Sequence, residues 1–453
     1  MNSIVQRQRD FFDTHQTKDV SFRLNELNRL ENLFKTHRDE LDEAIATDFN
    51  KSYYESFITE MAMLFADIKE AKRDIHRWSR KRKVRTNIAN FPAKSYLIPE
   101  PLGVCLVIGA WNYPYQLSFA PAIAALAAGN TVILKPSEIP SRTSKMIAKL
   151  VNENFDPRIF HVIEGGVPET TSLLKQKFDK IFFTGSTQVG KIIYKAAAEH
   201  LTPVTLELGG KSPVIVAADA NLKMTAKRLV WAKFINAGQT CVAPDYVMVD
   251  EVAEEELLKH LVDEIKQADY AYESDHYVQI INQRNVERLA NMLDRSKVHF
   301  GGEIDVDKRH IGPTVLTQVT FEDAIMQEEI FGPLLPVISY QNLDTAIAQI
   351  RKLPKPLSCY IFTSKNSTRR KALNELSFGG GCINDAVMHI SNPNLPFGGV
   401  GMSGMGNYHG QAGFDCFTHY KSIMDKPTWL ELPLKYAPYS KRKLAWLKKA
   451  LQL

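Results

Sequence analysis

The sequence predicts an α/β protein built on parallel sheets, and three observations carry that expectation. Short apolar runs alternate with helix-period segments from residue 102 to 185, and the alternation resumes from 212 to 364. Hydrophobic residues make up 44% of the chain and charged residues 24%, the balance of a folded globular protein rather than a disordered, fibrous or disulfide-stapled one. At 453 residues the chain is too long for a single core, so two or three domains are expected.

Between residues 21 and 48, Leu24, Leu27, Leu30, Phe34, Leu41 and Ile45 recur mostly at three- and four-residue steps among charges, the period of an amphipathic helix. The stretch "NIANFPAKSYLIPEP" (87–101) alternates polar and apolar residues between prolines and reads as extended, a hairpin at a domain boundary. The first α/β series then runs "LGVCLVIGA", a helix near 117–128, "TVILKP", a helix near 142–154, "FHVIEG", a helix near 168–175 and "KIFFTG". The second runs "SPVIVAAD", helices near 222–236 and 252–268, "YVMVD", "LLPVISY", a helix near 342–352 and "LSCYIFTS". Residues 377–415 are glycine-rich ("FGGGCIND", "PFGGVGMSGMG") and read as loops lining a site. The chain closes on a basic apolar stretch, "KRKLAWLKKALQL".

Bulk properties exclude several classes of function. The net charge is +5, from 56 basic and 51 acidic residues spread along the chain, which leaves no nucleic-acid or membrane footprint. The five cysteines, Cys105, Cys241, Cys359, Cys382 and Cys416, are odd in number and widely spaced, with no CxxC pair to suggest a zinc or disulfide framework. A reducing compartment and no metal are expected. The first residues lack the apolar core of a signal peptide. The apolar run from Leu117 to Gly129 is broken by Pro121 and falls short of the roughly 18 residues a membrane span needs. A cytoplasmic protein with no transmembrane anchor is therefore expected.

Several motifs carry both a chemical and an ordinary structural reading. "FFTGSTQVGK" (182–191) puts Gly185 at the end of an apolar strand and Gly190 in the following helix, with threonine where the dinucleotide fingerprint has its middle glycine. A helix N-terminus there suits a pyrophosphate; a plain βα turn capped by Ser186 or Thr187 accounts for the residues equally. The only full G-x-G-x-x-G, "GVGMSG" (399–404), follows Pro396 and Phe397 rather than a strand, so its glycines are read as permitting close backbone approach. Lys135 and Glu138 in "TVILKPSE" stand at a strand's carboxyl end, where a lysine and a carboxylate can hold a ribose diol or simply form a solvated pair. Asn112 in "GAWNYPY" precedes Tyr113-Pro114 in a predefined turn, either as an Asx-turn residue or as a neutral donor to an oxyanion. Glu207 in "TLELGGKSP" is flanked by leucines; desolvation would raise its pKa toward that of a general base, while pairing with Lys211 is the plainer alternative. Cys105, Cys359 and Cys416 sit among apolar or aromatic neighbours and read as core residues. Cys241 in "NAGQTCVAPD" sits among small residues that leave backbone N–H groups accessible to lower a thiol's pKa and to bind an oxyanion. In "MQEEIFGPLLP", Glu329 and Phe331 close an acidic helix or hold a flat ring and its sugar.

Taken together, "WNYPY", "KPSE", "FTGST", "LELGGKSP", "GQTCVAPD" and "EEIFGP" occur in the order and spacing of the aldehyde dehydrogenase superfamily, which the chain resembles from about residue 3 to 440. "GQTCVAPDY", "PFGGVGMSG" and "YAPYSKRKL" resemble its class 3, fatty aldehyde dehydrogenase-like branch. The resemblance implies a Rossmann-type cofactor domain (1–80 and 102–207), a second α/β catalytic domain (208–390), a small β oligomerisation element (81–101 and 391–425) and a tail (426–453). It implies Cys241 as nucleophile, Glu207 as general base for hydrolysis, and Asn112 with the Cys241 N–H as oxyanion hole. Lys135 and Glu138 would hold the adenosine ribose, Gly185 and Ser186 the pyrophosphate, and Glu329 and Phe331 the nicotinamide half. NAD is the expected cofactor, since Glu138 opposes a 2′-phosphate, with NADP possible. The implied reaction oxidises an aldehyde to a carboxylic acid through a cysteine thiohemiacetal and thioester. Tyr113, Trp231 and Ile235 would line an apolar channel for aliphatic or aromatic aldehydes, though core packing explains them equally. A homodimer is implied. Some class 3 relatives end in an apolar membrane anchor, whereas the short, strongly basic end of this chain reads as a charged helix covering the partner subunit, with weak interfacial attachment to a membrane as the alternative. Two alternatives stand beside this reading: an acylating enzyme passing the acyl group to coenzyme A, which would lack a base at Glu207, and a non-catalytic homologue, which would not need cysteine, glutamate and asparagine together.

Overall fold

Strands buried on both faces read as unbroken apolar runs, and Val104–Ile108, Thr131–Lys135 and Lys180–Thr184 are buried at every position. The computed structural model, which describes residues 1–274 and 276–450, assembles them into a six-stranded sheet. Its order is Gly404–Met405, Val204–Glu207, Lys180–Thr184, Val104–Ile108, Thr131–Lys135, Phe160–Val162. All neighbours are parallel except Gly404–Met405, which runs antiparallel to Val204–Glu207. From Val104–Ile108 the chain builds outward in one direction, then returns to add Lys180–Thr184 on the other side. Such a reversal leaves a crevice beyond the carboxyl ends of the two central strands, the place where open α/β sheets bind ligands.

The second sheet has seven strands, in the order Val298–Phe300, Thr314–Leu316, Leu334–Tyr340, Tyr246–Asp250, Pro213–Val216, Ser358–Phe362, Gly380–Ile383. Only Val298–Phe300 pairs antiparallel. Helix Gln116–Ala128 is apolar on every side and almost wholly buried, because Val20–Thr36 and Ala62–Trp78 pack on it opposite the sheet.

Both predicted α/β series therefore form. The glycine-rich region departs from its reading as loops alone: Gly380–Ile383 extends the second sheet and Gly404–Met405 closes an edge of the first. A Cβ on Gly381 would lie 1.9 Å from the Cys359 carbonyl oxygen, and one on Gly404 2.3 Å from that of Leu206, so only glycine lets these backbones pair so closely. Gly399 likewise abuts the Ser403 carbonyl, as the close-approach reading of "GVGMSG" anticipates.

The described residues divide into two compact units, Met1–Trp78 with Pro101–Thr418, and Ser79–Glu100 with the chain from His419 onward. The smaller unit holds a three-stranded sheet with Lys94–Pro101 between Arg82–Val84 and Thr418–Asp425. Arg82–Val84 pairs antiparallel with Lys94–Pro101, which is the hairpin expected from the proline-bounded alternation. Among the described residues no helix is long and apolar enough to cross a membrane.

Candidate active site

Strand Val104–Ile108 leads into the loop that holds Asn112. Asn112 is buried; its Nδ2 donates to the Gln239 carbonyl at 3.0 Å and its own carbonyl accepts from Asn236 Nδ2 at 2.9 Å. An amide nitrogen carries two N–H groups, so one remains for a further acceptor. Tyr113 shares a 2.6 Å hydrogen bond between its hydroxyl and Thr240 Oγ1. Two residues that stand far apart in sequence, 112 and 241, are thus drawn together by their neighbours.

Helix Leu222–Phe234 ends at the cysteine loop, where Asn236, Ala237 and Gly238 take left-handed conformations in succession (φ 54°, 51° and 73°). A non-glycine residue there costs about 1–3 kcal/mol and persists only where its surroundings impose it. They do so here. The Asn236 N–H donates to Glu55 Oε1 at 2.8 Å. Gln239 Nε2 donates to the Asn236 and Gln279 carbonyls at 3.0 and 3.1 Å, while its Oε1 accepts from the Ile281 N–H at 3.0 Å. A Cβ on Gly238 would lie 2.3 Å from the Gly332 carbonyl oxygen, so glycine is required for the loop to close on that segment.

Cys241 lies just beyond this turn, half-buried and with a free thiol. Burial, then the carboxylates of Glu329 and Glu207, push the thiol up to about 12. The N–H groups of Cys241 and Val242 act in the other direction, as the sequence reading anticipated, but are outweighed. Apolar surroundings and two neighbouring acids therefore make the thiol the stable form in the free protein.

Glu207 ends strand Val204–Glu207, pairing with Thr184 on one side and Gly404 on the other. It is 2% exposed, and neither carboxyl oxygen has a hydrogen-bond partner. Burial pushes its pKa well above the usual carboxylate range. It does not pair with Lys211, which bonds Asp245 and the Ile325 and Glu328 carbonyls instead. A buried carboxyl left without partners costs stability, and it is available to a substrate or to water.

Around the carboxyl ends of the first sheet stand groups of the kind a dinucleotide needs. Lys135 is buried and its Nζ donates to the half-exposed Glu138 carboxylate at 2.8 Å. Gly185 follows strand Lys180–Thr184, and Ser186 caps helix Thr187–Ala198 by accepting from the Val189 N–H at 3.4 Å. Both readings of that turn coexist, since a capped helix still presents first-turn amides to an anion. Helix Val167–Leu174 packs beside Thr187–Ala198, and each exposes a valine, Val167 and Val189, offering apolar walls for a flat base. Glu329 is pushed up to about 8, chiefly by burial, and accepts from the Gly210 N–H. A Cβ at 209 would meet the Glu329 carboxyl, so the glycine there lets Glu329 take this position. Phe331 holds a left-handed backbone (φ 49°) and sets its ring edge-on to Trp111, 5.3 Å between centroids. A cation–carboxylate pair, a helix start, apolar walls and a carboxyl thus fit the parts of a dinucleotide. Trp231 and Ile235 are one helical turn apart before the cysteine loop, Trp231 exposed and Ile235 buried. Among the described residues no group of three or more His, Cys, Asp or Glu is placed to hold a metal.

Sequence reasoning missed Glu55, Asn236, Gln239 and Thr240. Asn236 and Gln239 flank Cys241 in the very motif quoted for it, and polar residues so dense in an otherwise small-residue loop were the available signal.

The chain belongs to the aldehyde dehydrogenase family, whose model matches residues 1–423. It is similar to a 4,4'-diaponeurosporen-aldehyde dehydrogenase of Staphylococcus aureus, 48% identical over 455 residues covering 99% of each chain. It is also similar to aldehyde dehydrogenase family 3 member A2 of Pongo abelii, 42% identical over 98% of this chain and 92% of that one. A solved structure described as the substrate-bound state of Staphylococcus aureus AldH superposes with a TM-score of 0.96 at 46% identity, covering 99% of both chains. The class 3 resemblance read from the sequence therefore holds, and the protein is an NAD(P)-dependent oxidoreductase acting on aldehydes.

Proposed function

We propose that the protein oxidises apolar aliphatic or aromatic aldehydes to carboxylic acids, with Cys241 as nucleophile and Glu207 as the base that activates water. The observation that carries this reading is the Glu207 carboxyl, buried with both oxygens unpartnered and close enough to help raise the Cys241 thiol's pKa. The Cys241 thiol gives up its proton to solvent, the thiolate Sγ adds to the aldehyde carbon, and the oxygen gaining charge accepts from Asn112 Nδ2 and the Cys241 N–H. Removing one such donor costs about 100- to 1000-fold in rate. Lys135, Glu138, Gly185, Ser186, Glu329 and Phe331 would hold the dinucleotide, which would supply the hydride acceptor and a positive ring. Glu207, in its ionised form, then takes a proton from water as that water attacks the thioester carbon; the C–S bond breaks and the departing sulfur takes that proton back from Glu207, releasing acid and thiol. An unpaired carboxyl at this place favours water over coenzyme A as acyl acceptor.

NAD is the preferred cofactor on this reading, because the Glu138 carboxylate is ionised beside Lys135 and opposes a 2′-phosphate. Tyr113, Trp231 and Ile235 line the aldehyde's path. We further propose a homodimer; the smaller unit exposes Ile88, Phe91, Trp429 and Tyr439, apolar surface of the kind that partners cover. The decisive experiment follows NADH formation with a panel of aldehydes. Cys241→Ala should abolish it, and surviving turnover would reject the nucleophile. Glu207→Gln should keep the first burst of NADH and lose steady-state turnover; an unchanged steady state would remove the base.

A further inference from the structure

A buried ionic cluster lies behind both loops of the site and takes no part in the proposed chemistry. Lys51 and Glu60 are wholly buried, Glu55 nearly so, and Lys51 Nζ stands 3.4 Å from Glu60 Oε1. Burying two carboxylates and one ammonium is expensive, and well-packed apolar side chains would often serve stability better. Something other than stability must retain them, and their hydrogen bonds show what they hold.

Glu60 Oε2 accepts from the N–H groups of Tyr115 and Gln116, at 2.7 and 3.2 Å. Helix Gln116–Ala128 has no capping side chain of its own, so Glu60 caps it from a distant segment and fixes where the Asn112 loop ends. Glu55 Oε1 accepts from the Asn236 N–H at 2.8 Å, at the first left-handed residue of the cysteine loop. Lys51 Nζ sits 4.7 Å from the centre of the Tyr113 ring, whose hydroxyl bonds Thr240, the residue before Cys241. Glu60 lies in a π-helical turn, Phe57–Met61, between helices Tyr53–Ser56 and Ala62–Trp78. Such widened turns recur at functional sites, where they re-aim a side chain.

Resting on the reading of Cys241 and Asn112 above, we propose that Lys51, Glu55 and Glu60 are positioning residues. One buried cluster clamps the Asn112 loop and the Cys241 loop together and sets the geometry between the thiol and its oxyanion donor. The cluster acts through the backbone N–H groups of Tyr115, Gln116 and Asn236 and through the Tyr113 ring.

The test compares Glu55→Leu with Glu55→Gln. Glutamine keeps an oxygen for the Asn236 N–H and leucine does not. Four quantities are measured: the burst rate of NADH formation with benzaldehyde, KM for NAD, the rate of Cys241 alkylation by iodoacetamide, and Tm. Misplacing reacting groups by about 1 Å costs on the order of 100-fold, so Glu55→Leu should lower the burst rate by that factor, slow alkylation and leave KM for NAD unchanged. Glu55→Gln should recover most of the burst rate. If Glu55→Leu does not fold, Glu60→Asp against Glu60→Gln gives the same comparison at the other loop. A burst rate that falls only with the folded fraction, or a glutamine variant as slow as the leucine one, overturns the proposal. The Cys241→Ala control separates the two claims: an active alanine variant defeats the reading of the site, whereas a dead alanine variant beside a fully active Glu55→Leu defeats the clamp alone.

Discussion

Cys241 faces two opposing influences, an apolar setting with two acids that favours the thiol and two backbone N–H groups that favour the thiolate, and the first prevails at about 12. Below that value the reactive fraction grows about tenfold per pH unit. Alkylation of the free protein by iodoacetamide should therefore keep rising between pH 7 and 10, and a plateau near pH 8 would contradict the raised value. Glu329 gives a stability prediction of definite sign. Its pKa rises from 4.5 unfolded to about 8 folded, so between these values the folded state holds a proton that the unfolded state has released. Stability is lost as pH rises through that window. Glu329→Gln, which cannot ionise, should melt higher than the parent protein at pH 8, with the gap closing toward pH 4; a constant gap would mean that the effect is packing and not ionisation. Asn112, Glu207 and Cys241 could be nominated from the sequence because each stands in a short motif whose order and spacing resemble those of the aldehyde dehydrogenase family. Lys51, Glu55 and Glu60 could not, since in sequence they are ordinary charged residues outside any motif and Glu55 meets Asn236 across 181 positions.

At the scale of elements, the short strand Gly404–Met405 links the glycine-rich segment to the site, because Gly404 pairs directly with Glu207. Its φ of 148° and its 2.3 Å approach to the Leu206 carbonyl leave no room for a Cβ. Gly404→Ala should therefore cost about 2 kcal/mol in urea unfolding. It should also reduce steady-state turnover by more than that loss explains, since the edge that holds Glu207 must move. Normal turnover in a destabilised variant would show that Glu207 is held by Thr184 alone. The strands themselves were readable from unbroken apolar runs, as "VCLVI" and "TVILK" illustrate. The pairing of Gly404 with residue 207 was not, because glycine writes no periodicity and its value lies in what approaches it.

For the whole molecule, the sheet order puts the loop bearing Asn112 and the turn bearing Gly185 and Ser186 after adjacent central strands, on the two sides of the reversal. If the homodimer proposal holds, light scattering at micromolar concentration should give a mass near twice 51.2 kDa. A single-chain mass would leave the apolar surface of the smaller unit without its proposed partner. The sequence by itself determined the α/β class and the family, and nominated the three residues of the proposed chemistry, because periodicity and motifs are local properties of a chain. Tertiary structure alone decided that the Cys241 thiol is protonated at rest, that Glu207 has no partner, and that a buried cluster from residues 51–60 stands behind both loops. Desolvation and hydrogen-bond satisfaction depend on which distant segments come to lie together, and no stretch of the chain carries that information alone.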